Sequence, residues 1–193
     1  MSFITESELS RYRDRTKTYT KDNIINLKES LSRDRSMPLI FLSHKHDEIA
    51  ILQDVIAFLK KECVDIYVDW MDEEMPAYTN SETALRLKNK IKSSNKFILI
   101  ATQDAINSKW CNWELGLGDA AKYIEHIALF PINKTNQNFS GAEYLRIYPY
   151  IEYRDGTTKY KDGTFISKGF YVFTPSDKGN TISPIKEWLK KNI

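Results

Sequence analysis

The sequence predicts an α/β protein in which a parallel sheet is covered by helices on both faces. Two observations carry this. Short continuous apolar runs recur at PLIFLSH (38–44), VDIYVDW (64–70), KFILIAT (96–102) and IALFPI (127–132), and continuous runs mark strands buried on both faces. Between them lie stretches with helical periodicity, and strands that alternate with helices pair in parallel through crossovers.

Residues 1–36 are polar and charge-rich, with sparse apolar anchors at Leu9, Tyr12, Ile24, Ile25, Leu27 and Leu31. They are expected to form a helical N-terminal extension packed outside the main domain, which then runs from 37 to 193. Pro38 ends the extension, because proline interrupts helical geometry. DEIAILQDVIAFLKKE (47–62) opens with acidic and closes with basic residues, as the helix dipole favours. The strand at 64–70 is rich in β-branched and aromatic residues. A long loop, MDEEMPAYTN (71–80), leads into the helix SETALRLKNKIKSS, and the helix after the third strand begins near SKWCNWEL (108–115). Further on, YPYIEYR suggests a fifth strand. Asp162-Gly163 between β-rich flanks suggests a hairpin-like excursion, and ISPIKEWLKKN a closing helix.

Composition narrows the function. Lys plus Arg is 28 and Asp plus Glu is 26 in 193 residues, a net charge of +2. No basic stretch is suited to nucleic acid, and no apolar run is long enough to cross a membrane. MSFITESELSRYRDR lacks an apolar signal core, so a cytoplasmic location is expected. Cys63 and Cys111 form no disulfide framework or zinc spacing and are expected to be buried thiols.

Ligands of open α/β sheets bind at the carboxyl ends of the strands. Three segments fall there: Ser43-His44-Lys45-His46-Asp47, Asp69-Trp70-Met71-Asp72, and Thr102 to Trp110. The helix that follows raises a problem. At 100° per residue Trp110, Trp113, Leu117, Ala121 and Ile124 form one apolar arc, and Glu114 lies inside it. A charge on a buried face costs several kcal/mol unless it is paired or opens onto a cleft. Either Glu114 is a rim residue paired with Arg or Lys, or the arc borders a site.

Several chemistries lack their motifs. No GxGxxG, GxxxxGK[ST] or GxSxG occurs. His44 and His46 do not have the spacing of a metal site, so no metal is expected. Asp69 and Asp72 suggest the acidic cluster of receiver domains, but the third strand ends in Thr102 where that cluster needs an aspartate.

FLSHKHDE, YVDWMDEEMP, KFILIAT and SKWCNWEL occur in that order. Over roughly residues 37–155 they resemble a bacterial Toll/interleukin receptor (TIR) domain of the NAD-cleaving type associated with antiphage defence. The resemblance implies a flavodoxin-like three-layer α/β fold with a five-stranded parallel sheet, here with the N-terminal extension and C-terminal hairpin and helix additions. It implies a catalytic role for Glu114, the last residue of Trp110-Cys-Asn-Trp-Glu114. It also places Ser43 beside the nucleotide and assigns 70–80 to the loop that covers substrate or meets a neighbouring subunit. Pro76 is followed by Ala77 where the family has glycine, a departure confined to that loop.

NAD+ would be the substrate, with no bound cofactor. Nicotinamide leaves a pyridinium as a neutral molecule, so the chemistry needs support for a ribosyl cation rather than a general acid. Trp110 would wall the carboxylate, and Trp70 or Tyr78 could stack on a base. His44 and Lys45 could meet the pyrophosphate, although a solvated loop explains them equally well. Loop 71–80 is expected to contact a second copy, and a separate effector protein to respond to the nucleotide product. Two alternatives remain open: a TIR assembly module without catalysis, and an enzyme resembling nucleoside deoxyribosyltransferases.

Overall fold

The computed structural model describes residues 3–13, 37–69, 80–134, 140–141, 143–160, 162–177 and 179–191. Its centre is one sheet. Strands β1 (Ile4–Thr5), β2 (Leu39–Ser43), β3 (Asp65–Tyr67), β4 (Lys96–Ala101), β5 (Ile127–Asn133), β6 (Tyr150–Arg154), β7 (Gly169–Thr174) and β8 (Thr181–Pro184) build it. The order is β3-β2-β4-β5-β6-β7-β8, with β1 paired to β5. From β3 to β6 every pairing is parallel, which is the expected five-stranded arrangement.

The helices are α1 (Glu6–Leu9), α2 (Ile49–Lys60), α3 (Ser81–Ser93), α4 (Gln103–Ile106), α5 (Lys109–Ala121), α6 (Tyr144–Ile147) and α7 (Ile185–Lys190). Successive strand residues point to opposite faces, and the core divides accordingly. Ile40, Leu42, Ile98, Ile100, Ala128 and Phe130 face α2 and α7. Phe41, Phe97, Leu99, Ala101, Ile127 and Leu129 face α3 and α5. Strand parity therefore assigns Ser43, two residues after Phe41, to the α5 face.

The C-terminal region differs in detail from the expectation. The Asp162-Gly163 turn is present, with Gly163 at φ 88° and a bridge between Lys159 and Phe165. GFYVFT does not stay within that excursion. It becomes β7 and extends the sheet antiparallel to β6. The closing helix is shorter than expected because Thr181–Pro184 form β8, paired with β7, before α7 begins.

The described part of the N-terminal extension packs into the main body rather than outside it. Ile4 and Thr5 pair with Ile132 and Asn133, and Leu9 is fully buried in the α2-side core. Arg13 donates to the Asp54 carboxylate at 2.5 Å and to the Ala50 carbonyl at 2.9 Å, fastening the segment to α2. Residues 14–36 lie outside the described residues, and the helices expected there with them. Cys111 is buried as expected, but Cys63 is exposed, in a left-handed turn (φ 57°) just past α2. Among the described residues no helix is long and apolar enough to cross a membrane.

Since Leu9 completes the core, Leu9→Ala should lower the unfolding free energy by about 2–4 kcal/mol in a denaturant titration. Leu85→Ala, at a position 58% exposed on α3, should change it by less than about 0.5 kcal/mol.

Candidate active site

The chain runs from β2 outward to β3 and then crosses back to β4. Beyond the carboxyl ends of β2 and β4 the connections therefore diverge, leaving the crevice where such sheets bind ligands. Ser43 ends β2, Thr102 follows β4, and Asp69 lies two residues beyond β3.

Helix α5 delivers Glu114 to this place. Ser108 caps it, its hydroxyl accepting from the Cys111 backbone N–H at 3.4 Å. The buried residues of α5 are Cys111, Glu114, Leu115 and Gly118. The expected arc of Trp110, Trp113, Leu117, Ala121 and Ile124 is therefore rotated. The two tryptophans and Leu117 are half-buried, and Ala121 and Ile124 are exposed. Gly118 lies on the buried line, where a Cβ would come within 3.1 Å of the Phe97 ring, so glycine suits the close approach of the helix to β4. Glu114 is thereby on the buried face of the helix, 2% exposed.

The Ser43 hydroxyl donates to Glu114 Oε2 at 2.5 Å across 71 residues of sequence. The neighbouring Trp110 indole also favours the charged carboxyl, and its ring stacks on Trp113 with ring centroids 4.8 Å apart. Ser43 and Trp110 thus favour ionisation. Burial and the neighbouring Asp69 charge oppose it more strongly and push the Glu114 carboxyl up to about 8. Among the described residues no Lys, Arg or His forms an ion pair with Glu114.

His44 is buried, not part of a solvated loop, and burial pushes its imidazole down to about 4. It is therefore neutral at pH 7 and offers no positive charge to a pyrophosphate. Its Nδ1 lies 4.0 Å from Asp69, and its buried Nε2 has no hydrogen-bond partner among the described residues. His46 stacks on it and places Nε2 3.5 Å from the other Asp69 oxygen. The buried Cys111 thiol donates to the His44 carbonyl at 3.3 Å, tying this loop to α5. Lys45 is turned toward Asp47, 3.0 Å away on the surface.

The structure thus brings Ser43, His44, Trp110 and Glu114 together and leaves Lys45 at the margin. Trp70 and Tyr78, and the loop 71–80 up to residue 79, lie outside the described residues. Two neighbours of the site were not among the residues assigned to it from sequence. Asp69 adds to the effect of burial in holding the Glu114 carboxyl protonated. Glu48 accepts from Thr102 Oγ1 at 2.8 Å and pairs with Lys134 at 2.5 Å, while Lys134 also reaches Asp104 at 2.6 Å. Position beside the first strand end was the available signal for Glu48; nothing in the sequence linked it to Lys134. Among the described residues no group of three or more His, Cys, Asp or Glu side chains could hold a metal ion.

The comparison with protein families decides the family. Residues 40–165 match the model of the TIR domain. The chain belongs to the TIR domain family. Two curated relatives share the domain at modest identity. The protein named "Probable 3' cyclic ADP-D-ribose synthase ThsB'" of Bacillus cereus (strain MSX-D12) is 28% identical over 116 residues, 58% of this chain and 59% of that protein. The protein named "Putative cyclic ADP-D-ribose synthase TIR2" of Cytobacillus dafuensis is 24% identical over 79 residues, 39% of this chain and 21% of that protein. The aligned part thus covers less than two thirds of either relative. The TIR match ends before β7, so the antiparallel edge strands and α7 lie outside it.

The Glu114 carboxyl has a direct thermodynamic signature. Its folded value lies above the ordinary 4.5, so between about 4.5 and 8 the folded state binds more protons than the unfolded state. Stability is then lost as pH rises through that window. Glu114→Gln removes this titration and keeps an acceptor for Ser43. The variant should melt at the wild-type temperature near pH 4.5 and increasingly above it toward pH 8, by a few °C or more (~). Scanning calorimetry across this range checks it, and a variant that melts lower at pH 8 would show that the ionised carboxylate is a structural partner.

Proposed function

We propose that this TIR domain cleaves NAD+ at the nicotinamide–ribose bond, with Glu114 as the catalytic carboxylate. The observation that carries the reading is the contrast between the two buried glutamates of the crevice. Glu48 has what a structural carboxylate requires, a lysine at 2.5 Å and a threonine hydroxyl. Glu114 has two neutral donors and an acidic neighbour, an arrangement that costs folding energy and calls for an incoming cation. The nicotinamide ring of NAD+ is such a cation.

In the free site Glu114 is held largely protonated at neutral pH. A pyridinium beside it lowers that affinity for protons, so binding expels the proton and leaves a carboxylate opposite the reacting carbon. The C–N bond then breaks with its electron pair going to the nicotinamide nitrogen, which leaves neutral. Positive charge spreads over the ribose C1 and ring oxygen, where the Glu114 carboxylate stabilises it. Ser43 fixes one carboxylate oxygen and the stacked Trp110 and Trp113 exclude water from one side. A hydroxyl oxygen then attacks C1 and loses its proton. If that oxygen is water the product is ADP-ribose, and if it belongs to the same nucleotide the product is cyclic. The names of both relatives favour the cyclic product, and mass spectrometry of the reaction distinguishes the two.

We further propose that the reaction takes place in the cytoplasm without metal or bound cofactor. Its product would serve as a signal read by a separate effector in antiviral defence. Loop 71–80 would join two copies. In that case specific activity should rise with protein concentration and fall together with self-association in Tyr78→Ala. Constant specific activity across a wide dilution series, with the protein monomeric throughout, excludes this assembly.

Glu114→Gln should fold and lose about 10²-fold or more of nicotinamide release, the usual cost of one preorganised electrostatic group. Near-wild-type release would leave the assembly-module reading. The pH profile provides a finer check. The kcat/KM of the free enzyme should rise with pH toward about 8. Asp69→Asn should move that inflection down toward the ordinary carboxylate range, because the Asp69 charge helps hold Glu114 protonated. An inflection unchanged in Asp69→Asn would detach it from Glu114.

A further inference from the structure

The opposite end of the sheet holds a concentration of positive charge that the proposed chemistry does not use. Lys96 opens β4 and is 1% exposed, although lysine is almost never buried unless paired. Its Nζ lies 2.9 Å from Nδ1 of His126 and 4.9 Å from the ring centroid of Trp188. Nδ1 faces an ammonium and so acts as acceptor, which leaves the imidazole neutral with its proton on Nε2. Trp188 is fixed in turn, its indole N–H donating to the Glu125 carbonyl at 2.7 Å. Lys122, just past α5, is half-buried and donates to the Ser94 carbonyl at 2.6 Å. Lys191 lies just past α7.

These groups act on one another. Burial is the main influence on Lys96, bringing its amine down to about 8; Glu125 opposes this, and Lys191 and Lys122 add to it. His126 is lowered by burial and then by Lys96, with Lys122 and Lys191 contributing and Glu125 again opposing. Among the described residues Glu125 is the one carboxylate that opposes these shifts. Lys134 at the other end of the sheet shows the alternative, a single lysine held by two carboxylates. A buried cation without sufficient counter-charge is costly, and a compact anion with several acceptor oxygens relieves it.

We propose that Lys96, Lys122, His126 and Lys191 form a binding site for a phosphate group at the amino-terminal end of the sheet. Lys122, Lys191 and the Nε2–H of His126 donate to the phosphate oxygens, and Lys96 supplies charge from beneath. The site is separated from Glu114 by the length of β4, about 15–20 Å, so it does not depend on the catalytic assignment. Inorganic phosphate and the phosphates of a nucleotide share the required chemistry.

The test titrates the full chain separately with inorganic phosphate and with ADP-ribose. Binding is read from the His126 side-chain resonances in two-dimensional NMR and from the melting temperature. Saturable shifts at His126 are expected, unchanged in Glu114→Gln. In Lys122→Ala/Lys191→Ala they should weaken at least tenfold, the loss of one or two charge-assisted hydrogen bonds. Comparable affinity for the two probes identifies a free-phosphate site, and tighter binding of ADP-ribose at His126 identifies a nucleotide site. Lys96→Met offers a second variant, expected to weaken binding while retaining the fold under the Trp188 ring. No saturable shift at His126 with either probe up to about 10 mM overturns the proposal, as does undiminished binding in the double variant. In that event Lys96 is only a buried amine resting on Trp188.

Discussion

The close approach of α5 to β4 is the contact on which the site depends. Gly118 lets the helix lie against the Phe97 ring, and that line of contact carries Glu114 into the interior. Strand parity then supplies the partner. Ser43 shares a face with Phe41 and so meets the carboxyl group from the sheet side at 2.5 Å. A Cβ at position 118 would require the Phe97 ring or the helix to give by a few tenths of an ångström.

The crevice treats its two buried glutamates in opposite ways. Glu48 at the start of α2 is neutralised by Lys134 and bonded to Thr102, and it links the first strand end to the ends of β4 and β5. This arrangement is rigid and electrically closed. Glu114 is open: its neighbours are hydroxyl, indole and the Asp69 carboxylate, and its proton is retained by burial. Such a group is responsive to an arriving positive charge because, among the described residues, no cation is paired with it. Asp69 also faces His44 and His46, at 4.0 and 3.5 Å, so one carboxylate lies against both imidazoles at the same opening.

Most of the parallel sheet was legible because its strands are continuous apolar runs bounded by helical periodicity. The runs at 38–44, 96–102 and 127–132 became β2, β4 and β5 within a residue or two. The C-terminal strands were less legible. GFYVFT reads equally well as part of a local hairpin or as an added sheet strand, and its pairing with β6 is a long-range choice. The N-terminal anchors were misplaced for a similar reason. Leu9 and Tyr12 are too sparse to show periodicity, and the burial of Leu9 depends on the surface that α2 and the sheet offer it.

By itself the sequence determined the order of the elements, the carboxyl-end placement of Ser43, His44 and Asp69, and the anomaly of a glutamate on an apolar helix face. These follow from local patterns: run length, period and position relative to a strand end. The tertiary structure decided which way α5 is rotated, which glutamate is paired and which has no cation partner among the described residues. It also decided that Lys96 meets His126 and lies over the Trp188 ring. Each of these is set by contacts between distant segments, such as a glycine against a phenylalanine ring or Lys134 against Glu48. Helical periodicity records only that a face is apolar, and the depth of each side chain is fixed when a second surface closes on it.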